Sequence, residues 1–145
     1  MVTKTLLATA GLIVSARVYA QPVEDTSNVS CIERLQLPSY PPLARMARIV
    51  GVVVVVVDLG EDAKVRQVVV DPRTPGGHPI LFAPVEYALR RAQFNPGCID
   101  TRVTLVFEFK LEGDPYDRNQ QDLAFGFPNR FYITARLPVP IPATP

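Results

Sequence analysis

His78 is the only histidine in the chain, and its side chain could act as a general base near neutral pH. A hydrolase also needs a nucleophile held within reach of such a base. His78 instead lies between Gly77 and Pro79, where a helix is expected to begin. We interpret it as a structural residue, with catalysis as the alternative.

The residue types that bind metals or phosphates are not grouped as such sites require. Neither Cys31 nor Cys98 belongs to a set of ligands with zinc-site spacing. The acidic pairs Glu24-Asp25 and Glu61-Asp62 are expected as solvated charge in a linker and a turn. Gly76-Gly77 does not follow the pattern of a phosphate-binding loop. The sequence therefore predicts a non-enzymatic protein with no metal and no cofactor.

The first twenty residues have the layout of a secretory signal peptide. Lys4 precedes an apolar stretch at residues 6–14, and Val18-Tyr19-Ala20 provides a small-residue cleavage site before Gln21. The apolar part is shorter than the roughly 20 residues of a membrane-spanning helix. We expect export to the periplasm with cleavage of residues 1–20; an uncleaved inner-membrane anchor is the alternative.

Export gives the two cysteines a role. An isolated pair in an exported chain is more often a disulfide than two free thiols. A bond between Cys31 and Cys98 would stabilise the fold by about 4 kcal/mol on the chain-entropy account.

The charge of the exported chain argues against nucleic acid as a partner. Loss of residues 1–20 removes Lys4 and Arg17, which leaves 13 basic residues against 14 acidic ones. Phosphate binding needs a concentrated basic surface, whereas Arg90-Arg91 fits a solvated helix end.

Six consecutive valines at positions 52–57 predict the strand on which the fold is built. β-Branched residues favour strands, and alternation sends three valines to each face of the sheet. A strand that is apolar on both faces belongs in the middle of a sheet.

A short amphipathic helix is predicted before the valines, starting in Ser39-Tyr40-Pro41-Pro42 and ending at Gly51. Its expected apolar face is Leu43, Met46, Ala47 and Val50, with Arg45 and Arg48 pointing away. After the valines, residues 58–64 reverse the chain, and Gly60 rather than Ala63 is expected to take positive φ. A return strand follows at residues 65–71.

A second helix is predicted to open at His78-Pro79 and stop at Pro96-Gly97. Its expected apolar stripe is Leu81, Val85, Ala88, Leu89 and Ala92. Pro84 fits only if the helix starts around Leu81 or Phe82. A third strand at residues 102–111 alternates between core and solvent, with two phenylalanines facing inward.

The order helix–strand–strand–helix–strand is compatible with few sheet topologies. A right-handed crossover places the valine strand between the return strand and the third strand, with both helices on one face. The sequence thus predicts an α+β fold with a three-stranded antiparallel or mixed sheet. Residues 113–128 are polar and turn-rich, residues 131–134 are a candidate fourth strand, and alternate prolines at 138, 140 and 142 favour an extended end.

Residues 39–111 resemble the C-terminal domain of the TonB family of periplasmic energy transducers. The motifs are Tyr40-Pro41, Gly51 before the valines, Gly77-His78-Pro79-Ile80-Leu81, and Ala88-Leu89-Arg90-Arg91 leading to Phe94-Asn95-Pro96. The resemblance implies a split β-α-β domain at residues 39–112, between a linker at 21–38 and a C-terminal extension at 113–145. It also gives His78 a structural explanation.

The chain departs from the family in three features. The family usually has tryptophan where Ala92 stands, which predicts a looser helix–sheet contact here. It has an Asp-Gly turn where this chain has Asp62-Ala63. A full transducer would also need a motor-engaging anchor and a long proline-rich rod, which residues 1–38 lack. The chain resembles the terminal module alone.

The resemblance implies a non-catalytic periplasmic module that binds TonB-box segments of outer-membrane transporters by strand addition. In the predicted sheet, the outer edge of the third strand has unpaired N–H and C=O groups. The expected peptide-binding residues are Arg102, Thr104, Val106, Glu108 and Lys110. Two alternatives stay open: a structural or envelope-assembly module that binds no transporter, and an intact transducer with an uncleaved anchor.

The second face of the predicted sheet has no helix over it. There Val52, Val54, Val56 and Val106 would form an apolar patch that a monomer rarely leaves open. Either residues 129–137 cover this patch or pair with the sheet edge, or two chains form a homodimer. We expect the tail to associate within its own chain.

Overall fold

The structure is a computed structural model that describes residues 31–71, 74, 77–118, 120–126 and 128–142. The predicted signal peptide and the first part of the predicted linker lie outside the described residues. In chain order the elements are β1 (Ile32–Arg34), α1 (Pro42–Met46), β2 (Gly51–Leu59), β3 (Val65–Val70), α2 (Pro79–Arg90), β4 (Gln93–Phe94), a 3₁₀ helix (Pro96–Cys98), β5 (Arg102–Leu111), β6 (Gln121–Gly126) and β7 (Arg130–Ala135).

The main sheet has the strand order β3-β2-β5-β7-β6. Its valine strand β2 pairs antiparallel with β3 on one side and β5 on the other, which confirms the predicted order of the first three strands. The C-terminal extension adds the last two strands. β7 confirms the predicted fourth strand, whereas β6 lies in a segment predicted to be turns.

The valines of β2 divide between the two faces of the sheet as their alternation predicts. Val53, Val55 and Val57 are fully buried and pack in the core with the apolar face of α2. Burial of each contributes roughly 2 kcal/mol. Val52, Val54 and Val56 are only half-buried, on the face that no described helix covers.

The first helix differs from its prediction. α1 ends at Met46, and its buried residues are Ala44 and Arg45. Leu43 is 74% exposed and Met46 49%, so the predicted apolar face is wrong. A five-residue helix is too short for its own stripe to orient it, so contacts made by neighbouring residues decide its rotation.

Tyr40 supplies one of these contacts. Its ring is fully buried and meets Phe109 edge-on, with 5.5 Å between ring centroids. Its hydroxyl donates a hydrogen bond to the carbonyl oxygen of Ile49 at 2.5 Å. Burial raises the pKa of Tyr40 to about 12. The segment on either side of α1 is therefore fixed to the sheet by one aromatic side chain.

The second helix confirms four residues of its predicted stripe, Leu81, Val85, Ala88 and Leu89. It ends at Arg90, so Ala92 lies beyond it and the predicted stop at Pro96-Gly97 is wrong. His78 is its N-cap, and its Nδ1 accepts a hydrogen bond from the Ile80 N–H at 3.3 Å. The helix begins at Pro79, so the expectation that Pro84 requires a later start is wrong. The cap and a proline in the first turn fix the start, and the helix accommodates Pro84 in its interior.

Residues next to the two cysteines form a small second sheet, in which β1 pairs antiparallel with β4. The predicted linker is thus a strand at Ile32–Arg34. The Cys31–Cys98 disulfide joins this sheet to the 3₁₀ helix before β5 and confirms the predicted pairing. The Asn95 N–H also donates to the Cys31 carbonyl oxygen at 2.8 Å, so the N-terminal entry is held at two points.

The turn between β2 and β3 corrects a further expectation. Ala63, not Gly60, takes a positive φ of 55°. The Ala63 N–H donates to the Gly60 carbonyl oxygen at 3.0 Å, and the Gly60 N–H donates to that of Lys64 at 2.9 Å. These two bonds close the turn with Ala63 in the left-handed region, at the position where the sequence resemblance implies glycine.

Candidate functional site

The predicted docking edge of β5 is not free in the structure. β5 pairs with β2 on one side and with β7, in parallel, on the other. The β7 pairing runs from Val106, opposite Arg130, to Leu111, opposite Ala135. The expectation of an open edge along residues 106–111 is therefore wrong, because the chain's own tail fills it. The expectation that the tail associates within the chain is confirmed.

Backbone hydrogen bonds show how β5 receives this strand. The Val106 N–H donates to the Asn129 carbonyl oxygen at 3.0 Å, and the Glu112 N–H donates to that of Ala135, also at 3.0 Å. In a parallel ladder, alternate residues face the same neighbour. Val106, Glu108 and Lys110 thus present their backbone groups to the neighbouring strand, which is β7.

The side chains of the five predicted binding residues lie on the sheet face away from the helices. Two of them, Arg102 and Thr104, precede the β7 pairing. The Arg102 Nε lies 2.7 Å from the Asp58 carboxylate on the neighbouring strand. Thr104 is buried. Its backbone carbonyl oxygen accepts a hydrogen bond from the Asn129 side chain at 3.1 Å.

The other charged members of the set, Glu108 and Lys110, contact side chains of β7. Glu108 forms ion pairs with Lys110 at 3.0 Å and with Arg130 at 2.7 Å, and Lys110 lies 5.1 Å from the Tyr132 ring centroid. Burial works to raise the pKa of Glu108, but the hydrogen bonds from Lys110 and Arg130 outweigh it and lower that pKa. These charges fasten the tail strand rather than face an open edge.

Burial also holds β7 in place. Ile133 and Ala135 are fully buried, and Phe131 is stacked on Phe107 with 5.3 Å between ring centroids. Removal of this strand would expose Phe131 and Ile133, at a cost of roughly 2 kcal/mol or more each. β7 is therefore a core strand of this fold.

Arg45 of α1 binds the segments that come before β6 and after β7. Its Nε donates to the Arg136 carbonyl oxygen at 2.7 Å, and one terminal nitrogen donates to those of Leu137, at 3.1 Å, and Tyr116. The residue is 5% exposed. One buried guanidinium thus binds the loop before β6 and the segment after β7.

With β5 covered, the described sheet ends at β3 and at β6. In β7, Phe131, Ile133 and Ala135 direct their backbone groups to β5, so Arg130, Tyr132 and Thr134 direct theirs to β6. The register pairs those three with Gly126, Ala124 and Asp122. It follows that Gln121, Leu123 and Phe125 present their N–H and C=O groups outward, at the sheet edge.

The outward residues of β6 also carry exposed apolar side chains. Leu123 is 48% exposed and Phe125 is 51% exposed. They lie opposite Ile133 and Phe131, on the sheet face that carries the helices. Gln121, on the same face, accepts a hydrogen bond from the Tyr40 N–H at 2.8 Å and fixes the start of the strand. We call residues 121–126, with the outward backbone groups of Gln121, Leu123 and Phe125, the β6 edge.

The opposite edge of the sheet is less suited to an added strand. The Asp71 N–H donates to the Val54 carbonyl oxygen at 2.8 Å, which leaves Val68 and Val70 as the outward residues of β3. Arg66 is the one charged residue of β3, and its guanidinium pairs with Asp100 at 3.0 Å. Charge is a common device against strand addition.

Sequence reasoning missed the β6 edge and Arg45. Leu123 and Phe125 do alternate with polar or small residues, but two apolar positions within a polar segment are a weak strand signal. Arg45 gave a misleading signal, because a charged side chain on a short helix is normally solvated. Its burial depends on carbonyl groups about 70 to 90 residues further along the chain.

The departure at Ala92 has a structural counterpart. Ala92 and Phe94 line an open cleft of 660 Å³ between the end of α2 and the β2–β3 turn, together with Ala63. A tryptophan at position 92 would have space to fill part of this cleft. The looser contact predicted from the sequence thus corresponds to an open surface cleft.

Within the described ranges, no three histidine, cysteine or carboxylate side chains are placed to hold a metal ion. Over the same ranges, no helix is both long and apolar enough to span a membrane.

The fold is a small α+β domain with a mixed sheet. The sequence profile of a family described as Gram-negative bacterial TonB protein C-terminal matches residues 36–111, about half of the chain. The chain therefore belongs to the TonB C-terminal family, a non-enzymatic protein-interaction family of the periplasm. Searches of curated proteins and of solved structures found no match. β6 and β7 lie outside the matched region.

Proposed function

We propose that this chain is a non-catalytic periplasmic module that binds an extended segment of an envelope protein by strand addition at the β6 edge. Members of its family interact with proteins such as outer-membrane transporters, and a TonB-box segment is the first partner to test. The observation that carries the proposal is the outward direction of the backbone groups of Gln121, Leu123 and Phe125 beside two half-exposed apolar side chains.

Two physical arguments support the β6 edge over the edge of β5. An extended peptide gains main-chain hydrogen bonds only where those of the acceptor are unpaired. The β5 groups from Val106 onward already bond to β7, and release of β7 would expose Phe131 and Ile133. The tail hairpin therefore continues the sheet and moves its accepting edge outward by two strands.

The test is an NMR titration of the chain with a synthetic TonB-box peptide. We expect saturable shifts of the amides of Gln121, Leu123 and Phe125, with little change in β3. Leu123→Pro removes one outward N–H without removing a donor to β7 and should abolish binding. Leu123→Ala keeps the N–H and should weaken binding only partly.

Stability measurements on both variants keep this test interpretable. If Leu123→Pro does not fold, the unaltered protein can be tested with a modified peptide instead. This peptide is N-methylated at the amides that would bond to β6, and it should not bind. Shifts confined to Val106, Glu108, Lys110 and β7 would instead support docking at β5 with release of the tail. Absence of saturable binding would favour the structural or envelope-assembly role.

A further inference from the structure

We infer that the segment taken up at the β6 edge is basic, with apolar side chains at every second position and lysine or arginine between them. This inference rests on the proposed function and specifies the chemistry of the partner. It follows from the different surfaces that the two faces of β6 offer to a neighbouring strand.

On the helix-bearing face, an added strand would meet Leu123 and Phe125. The Phe125 ring lies against Phe131, with 5.1 Å between centroids, so it forms the outer end of a row of aromatic rings that begins in the core. Cross-strand neighbours on one face contact each other directly. Apolar side chains at alternate positions of the partner would cover both exposed residues.

On the opposite face, an added strand would meet Asp122, Ala124 and Gly126. Asp122 is exposed and is the only charged residue of β6. A Cβ at Gly126 would lie 2.8 Å from the Tyr132 ring, so that ring lies across the strand at this point. This face therefore offers a carboxylate, a small side chain and an aromatic ring, which favour a cationic neighbour.

The loop that leads into β6 has the same sign of charge. Glu112, Asp114 and Asp117 are exposed in it, against one basic residue, Arg118. A carboxylate-bearing segment at the β6 edge would meet this field unfavourably, whereas a basic one would be attracted. The electrostatic preference of the edge thus agrees with the local pairing at Asp122.

A second copy of this chain fits the edge less well. Antiparallel pairing of two β6 strands would bring the acidic loop of one copy toward the partner strand, which offers no basic residue in return. Such a contact would also involve only six residues on each side, well below the area of a stable interface.

The experiment compares three synthetic eight-residue peptides that share valine at alternate positions and have lysine, glutamate or serine between them. Binding to the full chain is measured by fluorescence anisotropy at low and moderate salt. We expect the lysine peptide to bind roughly two- to fivefold more tightly than the serine peptide at low salt, and the glutamate peptide more weakly than either. Higher salt should reduce these differences.

Asp122→Asn tests the source of the preference. It should reduce the difference between the lysine and glutamate peptides, whereas Glu61→Gln, an exposed change in the β2–β3 turn, should leave it unchanged. Equal affinities for the lysine and glutamate peptides would overturn the inference and leave strand addition intact. Binding of none of the three would overturn the proposed function as well. Dimers that Leu123→Pro abolishes would assign the edge to a second copy and also overturn the inference.

Discussion

At the scale of single residues, this fold relies on a few polar groups that are buried and paired. Tyr40 bonds to the Ile49 carbonyl, and Arg45 bonds to three carbonyls of the C-terminal extension. A buried polar group stabilises a fold only while its partner is kept, and its loss leaves that partner unsatisfied. The two residues lie on either side of the start of α1, so this short segment carries more specificity than its length suggests.

Tyr40 makes the stability of the protein sensitive to alkaline pH. Burial raises its pKa from 10.0 to about 12, so near pH 11 the unfolded chain ionises this hydroxyl while the folded chain keeps it protonated. The stability that this difference supplies is fully present below pH 10 and is lost as pH rises toward 12. The loss should reach roughly 2 to 3 kcal/mol.

Urea unfolding of the native chain and Tyr40→Phe between pH 7 and 12 measures this effect. At pH 7 the variant should be less stable by about 1 kcal/mol, because it lacks the hydrogen bond to Ile49. The two free energies of unfolding should become equal near pH 11 and then cross, so that at pH 12 the variant is the more stable by roughly 1 to 2 kcal/mol. Tyr87→Phe, at an exposed position, is the matched control. A Tyr40→Phe difference that stays constant over the whole range would contradict the prediction.

At the scale of elements, the C-terminal hairpin is fastened to the domain by α1. A guanidinium binds three carbonyl oxygens in fixed directions, whereas a lysine ammonium cannot reproduce that arrangement. Arg45→Lys should therefore lower the free energy of unfolding by about 2 kcal/mol, even though the charge is kept.

The same variant should loosen the hairpin selectively. Amide hydrogen exchange in β6 and β7 should increase more than exchange in β2. Arg48→Lys changes an exposed residue three positions away and should alter stability by less than about 0.5 kcal/mol. Equal losses for the two variants would mean that the carbonyl contacts of Arg45 contribute nothing special.

Elements with a strong local pattern were predictable from the sequence, and those that depend on distant partners were not. The valine run, the stripe of α2 and the alternation of β5 each carry enough apolar residues to define their own faces. α1 and β6 do not, because Arg45, Tyr40 and Gln121 fix them through contacts with residues far along the chain. The β5 edge was predicted to accept a peptide, and pairing of the tail with the sheet edge was one of the stated alternatives; the structure pairs this edge with β7.

At the scale of the whole molecule, the C-terminal extension adds β7 and β6 beside β5. The edge of the sheet therefore lies two strands beyond β5. The family profile ends at residue 111, and β6 and β7 follow it. The same extension brings Phe131 and Ile133 into the core. Stability and the position of the sheet's outer edge are therefore linked in this chain.

Removal of the tail strand should reverse both properties. Deletion of residues 128–145 removes β7, uncovers the edge of β5 beside Phe107, and leaves β6 without its neighbour. We expect the shortened chain to sediment as dimers or larger species, because a long unpaired edge seeks another strand. In a TonB-box titration, shifts should appear at Val106, Glu108 and Lys110, which are bonded to β7 in the full chain.

A chain that ends at residue 138 is the matched control, because it keeps β7 and the carbonyl groups that Arg45 binds. It should behave as the full chain in sedimentation and should still take up peptide at the β6 edge. If the longer deletion also leaves sedimentation and binding unchanged, β7 does not close the β5 edge in solution. Shifts at the β5 edge in both shortened chains would instead mean that residues 139–145, and not the strand itself, restrict access to it.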